Sequence, residues 1–191
     1  MSDDTELMRR VQGGEEAALG ALMERWELPV KAVIGRIVLN AGEAEELAQE
    51  TFVRVWTQRE KFRADAAFRP WLFAIAVNLA RNRLRWWRRR PQVSLDEWTD
   101  WGARRIDPAD ARPAADDGAQ MAERRERAAA VREAVAALPV DLREAIVLFE
   151  YEQLSHAEIA AALGCTPKAV EARLYRAREK LRAALGRRLS L

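Results

Sequence analysis

The stretch that decides the fold is LSHAEIAAALGCTPKAVEARLYRAREKL, Leu154 to Leu181. Ser155 stands three residues before Glu158, the spacing of a capping box. The serine side chain caps the new helix, and the glutamate reaches back to the cap. Ile159, Ala160 and Leu163 recur at helical spacing and make a buried face. Gly164 ends the helix by taking a left-handed conformation that other residues adopt at a cost. Cys165 falls in the turn and reads as a small buried residue. Thr166 caps a second helix with Pro167 at its first position. Val170 and Leu174 point inward, while Lys168, Arg173, Tyr175, Arg176, Arg178 and Lys180 supply charge and hydrogen bonds. A short helix, a glycine turn and a basic second helix define a helix-turn-helix, whose second helix can enter a DNA major groove. A plain helical hairpin with a solvated basic face is the competing reading.

Upstream, helical periodicity continues and no strand alternation persists. The pattern predicts helices from about Thr5 to Gln12, from near Glu15 with a kink or restart at Pro29, and over Val30 to Leu39. Asn40, Ala41 and Gly42 are expected to stop the last of these. Ala44, Leu47, Ala48, Thr51, Phe52, Val55 and Trp56 then form one apolar stripe, opposite Glu45, Glu46, Gln49, Glu50 and Val53. After KFRADAAFRP, Pro70 fits the first turn of a helix that buries Phe68, Leu72, Ile75, Ala76 and Leu79 and runs into RNRLRWWRRR, residues 81–90. Pro91 breaks it. Residues 91–120 mix Pro, Gly, Asp and Ala and read as a flexible acidic linker, in which Trp98 and Trp101 are unusual. Helices from about Met121 to Ala137 and from Val140 to Glu152 follow. The expected fold class is all-α: two small helical domains, residues 1–90 and 121–191, joined by that linker.

The net charge of +2 hides a segregation. Residues 1–53 carry 5 basic and 11 acidic side chains, residues 54–90 carry 11 and 2, and residues 155–191 carry 8 and 3. Two basic blocks separated by acidic segments point to two contacts with a polyanion. One cysteine, Cys165, and one histidine, His156, leave no disulfide and no Cys-based metal set. No metal, cofactor or catalytic residue is expected, since no phosphate loop or nucleophile motif is present. No apolar run approaches the ~20 residues of a membrane span, so no membrane insertion is expected. The acidic start MSDDTELMRR is wrong for a secretory signal, which makes the expected compartment the cytoplasm.

The motifs EAAL, GEAEELAQETFVRVW and KFRADAAFRPWLFAIAVNLARNRLR, followed by LPVDLREAIVLFEYEQLSHAEIAAALGCTPKAVEARLYRAREKL, together resemble a bacterial sigma factor of the extracytoplasmic-function (ECF) group of the sigma-70 family. No single motif is decisive; their order and spacing are specific. The resemblance implies a subunit of RNA polymerase, not an enzyme. Its first domain would bind core polymerase and open the minus-ten promoter element, and its second would read the minus-thirty-five element. An anti-sigma factor is a further partner that the family often has.

The same resemblance assigns Glu46, Gln49, Glu50 and Val53 to core polymerase. A solvated acidic helix face is the local alternative. It assigns Phe62 and Asn78 to a pocket for an unstacked base, where stacking and amide hydrogen bonds are needed. Phe62 is equally readable as a core aromatic, and Asn78 as an amide bonded within the protein. Arg63, Arg81, Asn82 and Arg85 would hold the displaced strand, with Arg88 to Arg90 as backbone contacts at the helix end. Lys168, Glu171, Ala172, Tyr175 and Arg176 match groove-facing positions of the recognition helix, and Arg173 and Arg178 suit phosphates. Basic and hydroxyl residues are commoner in the family where this chain has Glu171 and Ala172. Glutamate can accept from a cytosine amino group and alanine can touch a thymine methyl. The departure therefore bears on the sequence read, not on the fold. His156 reads as solvent-facing or as a phosphate contact. Two rival functions remain at this point: a helix-turn-helix regulator that works without polymerase, and a membrane-surface protein anchored by RLRWWRRR.

Overall fold

The structure is a computed structural model that describes residues 3–63, 65–89 and 118–189. Eight α-helices make up the described part: α1 Asp3–Gln12, α2 Glu16–Val38, α3 Ala41–Thr57, α4 Phe68–Arg89, α5 Gly118–Ala136, α6 Val140–Glu150, α7 His156–Leu163 and α8 Pro167–Leu189. A single turn of 3-10 helix, Arg59–Lys61, lies between α3 and α4. There is no strand among the described residues. The expected linker with Trp98 and Trp101 falls mostly outside the described residues, as does Arg90; α5 already begins at Gly118.

Helices α1 to α4 form the first bundle. The stripe predicted on α3 is its inner face: Ala44, Leu47, Ala48, Thr51, Phe52 and Val55 are buried, and Trp56 is half-buried. Thr51 is tolerated there because its hydroxyl donates to the Leu47 carbonyl at 2.7 Å, so no polar group is orphaned. Helix α4 answers with Phe68, Leu72, Phe73, Ala76, Val77, Ala80 and Leu84. Ile75 and Leu79 are only half-buried, so its inner face is rotated from the one expected.

Two expectations about α2 are corrected. Of the kink or restart expected at Pro29, the restart does not occur: the helix runs continuously from Glu16 to Val38. Val30, Val33, Ile34 and Ile37 are all fully buried just beyond it, and this packing outweighs the one hydrogen bond that proline removes. The stop is also placed differently. Leu39 takes the left-handed conformation at φ 61°, and its N–H donates to the Gly35 carbonyl. Asn40 opens the next helix, accepting from the Glu43 N–H at 2.9 Å, so Ala41 and Gly42 are helical.

Helices α5 to α8 form the second bundle around Leu142, Ala145, Val147, Leu148, Ile159, Val170, Leu174 and Ala177. Helix α6 ends at Glu150, two residues earlier than predicted, and Tyr151 and Glu152 beyond it meet Arg36 and Arg69 of the first bundle. The two bundles are not separate bodies on a string. Their buried residues join in one contiguous cluster, with α7 lying along α4 and α6 against α2.

Candidate nucleic-acid and polymerase interface

The helix-turn-helix forms as the sequence predicts. Ser155 Oγ accepts from the Glu158 N–H, and Glu158 accepts from the Ser155 N–H at 2.8 Å and from its hydroxyl at 2.7 Å. These donors hold the Glu158 carboxyl below its ordinary range, the backbone bond contributing most. Gly164 sits at φ 63° and closes α7. Thr166 then caps α8, accepting from the Ala169 N–H at 3.2 Å.

Helix α8 sorts its residues by face. Val170, Leu174 and Ala177 are buried, whereas Lys168, Glu171, Ala172, Tyr175 and Arg176 are exposed, Tyr175 at 67%. These five exposed side chains lie on the N-terminal half of the helix, the part that meets base edges in this motif. Arg173 leans back over the turn, with Nη1 3.9 Å from Cys165 Sγ, and Cys165 is half-buried, not fully covered. Arg178 pairs with Glu150 at 3.0 Å and lies over the Phe149 ring. His156 is exposed, its ring 5.5 Å from that of Phe149.

On the first bundle, the outer face of α3 presents Glu46, Gln49 and Val53 to solvent, Val53 at 54%. Glu50 is half-buried and accepts from Arg54 at 2.7 Å. An exposed valine on an otherwise acidic and amide face gives an apolar contact ringed by acceptors. A groove of about 710 Å³ runs between this face and α4, lined by Glu46, Leu47, Glu50, Arg54, Leu79, Asn82, Arg83 and Trp86. Arg83 spans it by pairing with Glu43. Sequence reading did not single out this pair, because an arginine within a run of arginines gives no local sign of turning inward.

The residues expected at the minus-ten element are not brought to one surface. Asn78, Asn82 and Arg85 are exposed on α4, with Arg85 donating to the Asn82 side-chain oxygen. Arg63 is exposed and paired with Asp65 at 3.0 Å. Phe62, however, is only 3% exposed. Its ring meets Trp71 at 5.2 Å and Phe68 at 6.2 Å, both edge-on, which is the geometry of a core aromatic. Gln12 fixes the backbone around it, donating to the carbonyls of Arg59 and Phe62 at 2.9 and 2.8 Å. Arg81 is also turned away from solvent: it is bonded to Glu144 of α6 at 2.5–2.9 Å and to the Leu163 carbonyl at 3.3 Å.

A polar seam of this kind was not legible from sequence. Arg143 donates to the Ile37 and Leu138 carbonyls at 2.8 and 3.0 Å, and Arg69 donates to the Glu152 carbonyl. Burial lowers the pKa of the Arg143 guanidinium and raises that of the Glu152 carboxyl. The one available signal was the run LREAIVLFE, in which a charged pair interrupts an apolar segment. Among the described residues there is no cluster of side chains suited to a metal, and no helix is long and apolar enough to cross a membrane.

Two helical bundles, one with an acidic outer helix beside a basic one and the other with a helix-turn-helix, define a class: proteins that join a protein surface to DNA. Comparison with known proteins then gives the family. Residues 22–90 match the family described as Sigma-70 region 2, and residues 128–181 match Sigma-70, region 4. The chain is 35% identical over 182 residues to the RNA polymerase sigma-H factor of Pseudomonas aeruginosa, covering 95% of this chain and 93% of that one. It is 34% identical over 178 residues to the ECF RNA polymerase sigma-E factor of Escherichia coli, covering 93% and 92%. Among solved structures, CnrH in complex with the cytosolic domain of CnrY matches with a TM-score of 0.67 and 28% identity, over 96% and 97% of the two chains. RpoE in complex with the anti-sigma factor NepR from Bartonella quintana shares the fold, with a TM-score of 0.63 and 24% identity over 86% and 96%. The chain belongs to the sigma-70 family of RNA polymerase sigma factors, in its ECF group. It is a transcription initiation factor and not an enzyme: it binds core RNA polymerase and directs promoter-specific initiation at minus-ten and minus-thirty-five elements.

Proposed function

We propose how this chain divides that work among its residues. Residues 1–90 engage core polymerase and the minus-ten element, and residues 121–191 read the minus-thirty-five element. Glu46, Gln49, Glu50 and Val53 on α3 dock on a basic surface of core polymerase. Asn78, Asn82 and Arg85, with Arg63 and Arg81, hold the separated minus-ten strand, and Phe62 contributes by anchoring the loop that carries Arg63. Lys168, Glu171, Ala172, Tyr175 and Arg176 meet base edges, and Arg173 and Arg178 take phosphates. The protein works in the cytoplasm, where polymerase and promoter meet. An anti-sigma factor is its regulator, by analogy with the partners of CnrH and RpoE.

The observation that carries this reading is the face of α8. Five candidate base-reading side chains are exposed together while Val170, Leu174 and Ala177 seat the helix. The test is run-off transcription with purified core polymerase on a promoter library. Transcripts should share a minus-thirty-five sequence whose preference changes at one position when Arg176 becomes alanine, with a cost of about 1–3 kcal/mol there. A uniform loss across all promoters would make Arg176 a phosphate contact instead.

A further inference from the structure

Gln12 is the last residue of α1 and has no part in the proposed function. Its side-chain Nε2 donates to the Arg59 carbonyl at 2.9 Å and to the Phe62 carbonyl at 2.8 Å. One amide group thus ties the start of the 3-10 turn to the residue that follows it, 47 and 50 positions away in the chain. The turn needs such a tie. Its Phe62 N–H reaches the Arg59 carbonyl only at 3.2 Å, and a single turn of this helix type has poor hydrogen-bond geometry. The platform beneath Gln12 is firm: Met8 and Val11 are fully buried, and Arg25 of α2 pairs with Asp3 at 2.6 Å. On the other side, the Phe62 ring is packed edge-on against Phe68 and Trp71. Arg63 comes next in the chain, exposed and bonded to Asp65 at 3.0–3.1 Å.

We propose that Gln12 is a positioning residue for promoter opening: by clamping the Arg59 and Phe62 carbonyls, it fixes the point from which Arg63 reaches the separated minus-ten strand. This role rests on the assignment of Arg63 to that strand. The packed ring holds only the side chain of Phe62. The Phe62 carbonyl lies in the same rigid peptide plane as the Arg63 N–H and Cα, so the group that holds this oxygen also sets where Arg63 begins. An exposed arginine loses backbone and rotamer freedom when it captures a phosphate. Fixing the backbone in advance leaves less freedom to lose at that moment. The chemistry of the clamp is specific. A neutral amide offers two N–H donors, one for each carbonyl, whereas an ionised carboxylate of the same shape offers none and sets its oxygens against two others.

The test uses the full chain with core polymerase on one promoter. Fluorescence titration reads core affinity, and permanganate reactivity of the minus-ten thymines reads the rate of opening. Gln12→Glu keeps the size of the side chain and loses both donors. It should leave core affinity unchanged and slow opening about tenfold, the order expected when two neutral hydrogen bonds are lost. Gln12→Ala removes the donors without adding a charge and should do the same; circular dichroism checks that helix content is kept in both. Arg63→Ala should slow opening by itself, and adding Gln12→Ala to it should cost nothing further, because a positioning residue acts only through the residue it positions. Equal slowing by Gln12→Ala in the parent and in the Arg63→Ala chain overturns the proposal, since Gln12 then only stabilises its domain; a matching fall in core affinity overturns it in the same way. Parent-like opening in both Gln12 variants also overturns it, and a slow Arg63→Ala chain then still keeps Arg63 at DNA. If Arg63→Ala opens the promoter at the parent rate, the assignment of Arg63 to the strand falls, and the role of Gln12 falls with it.

Discussion

A single serine carries the entry to the helix-turn-helix. Ser155 both accepts from the Glu158 N–H and donates to its carboxylate, so one hydroxyl satisfies two groups at the start of α7. Ser155→Ala should destabilise the chain by about 0.5–2 kcal/mol, the usual cost of a lost cap, read by urea denaturation. The carboxylate on the other side of this box gives the effect a pH signature. Its pKa is depressed in the folded chain, so its contribution is present above the ordinary carboxylate range and is lost as pH falls through the depressed value. Glu158→Gln should therefore be weaker than the parent at neutral pH and converge with it on acidification. A gap that persists at low pH would mean the carboxylate charge contributes nothing. This residue-scale feature was fully legible in the sequence, because cap, box partner and stop are all local.

At the scale of the element, α3 shows what a single helix can divide between two tasks. Its inner stripe is committed to the core, so its outer face is free to vary without cost to the fold. The double change Gln49→Ala and Glu50→Ala removes only exposed and half-exposed groups and one surface ion pair with Arg54, worth about 0–1 kcal/mol. Core-polymerase affinity should fall at least about tenfold while thermal stability barely moves, measured by fluorescence titration of labelled chain with core enzyme. Unchanged affinity would remove this face from the polymerase contact. The stripe on α3 was legible because it repeats without interruption, and periodicity is the strongest sequence signal for a helix. Pro29 misled for the complementary reason: its local cost is visible, but the burial of Val30, Val33 and Ile34 that outweighs it is tertiary. Phe62 is a different case. From sequence it is equally readable as a stacking surface or as a core aromatic, and the edge-on rings of Phe68 and Trp71 decide for the packed reading.

For the molecule as a whole, the informative groups are the charges trapped between the bundles, and sequence could not pair them because each finds its partner across a long stretch of chain. Glu152 makes the point with a measurable consequence. Burial between Arg69, from α4, and Arg36, from α2, raises its pKa; their positive charges oppose the rise without cancelling it. A carboxyl whose pKa is higher folded than unfolded binds its proton more tightly in the folded state. Stability then falls as pH climbs from the ordinary carboxylate range through the raised value, and stays lowered above it. Glu152→Gln keeps the backbone carbonyl that Arg69 uses and deletes the buried charge. The variant should melt higher than the parent at neutral pH, by roughly 2–4 °C for each kcal/mol relieved, and the two should converge as pH approaches the ordinary carboxylate range. Scanning calorimetry across that range checks both parts. A variant that melts lower at neutral pH would mean that the two arginines stabilise the ionised carboxylate by more than its desolvation costs. In that case the seam between the bundles is held by ion pairing at Glu152 as well as at Glu144, and acid would loosen it instead of tightening it.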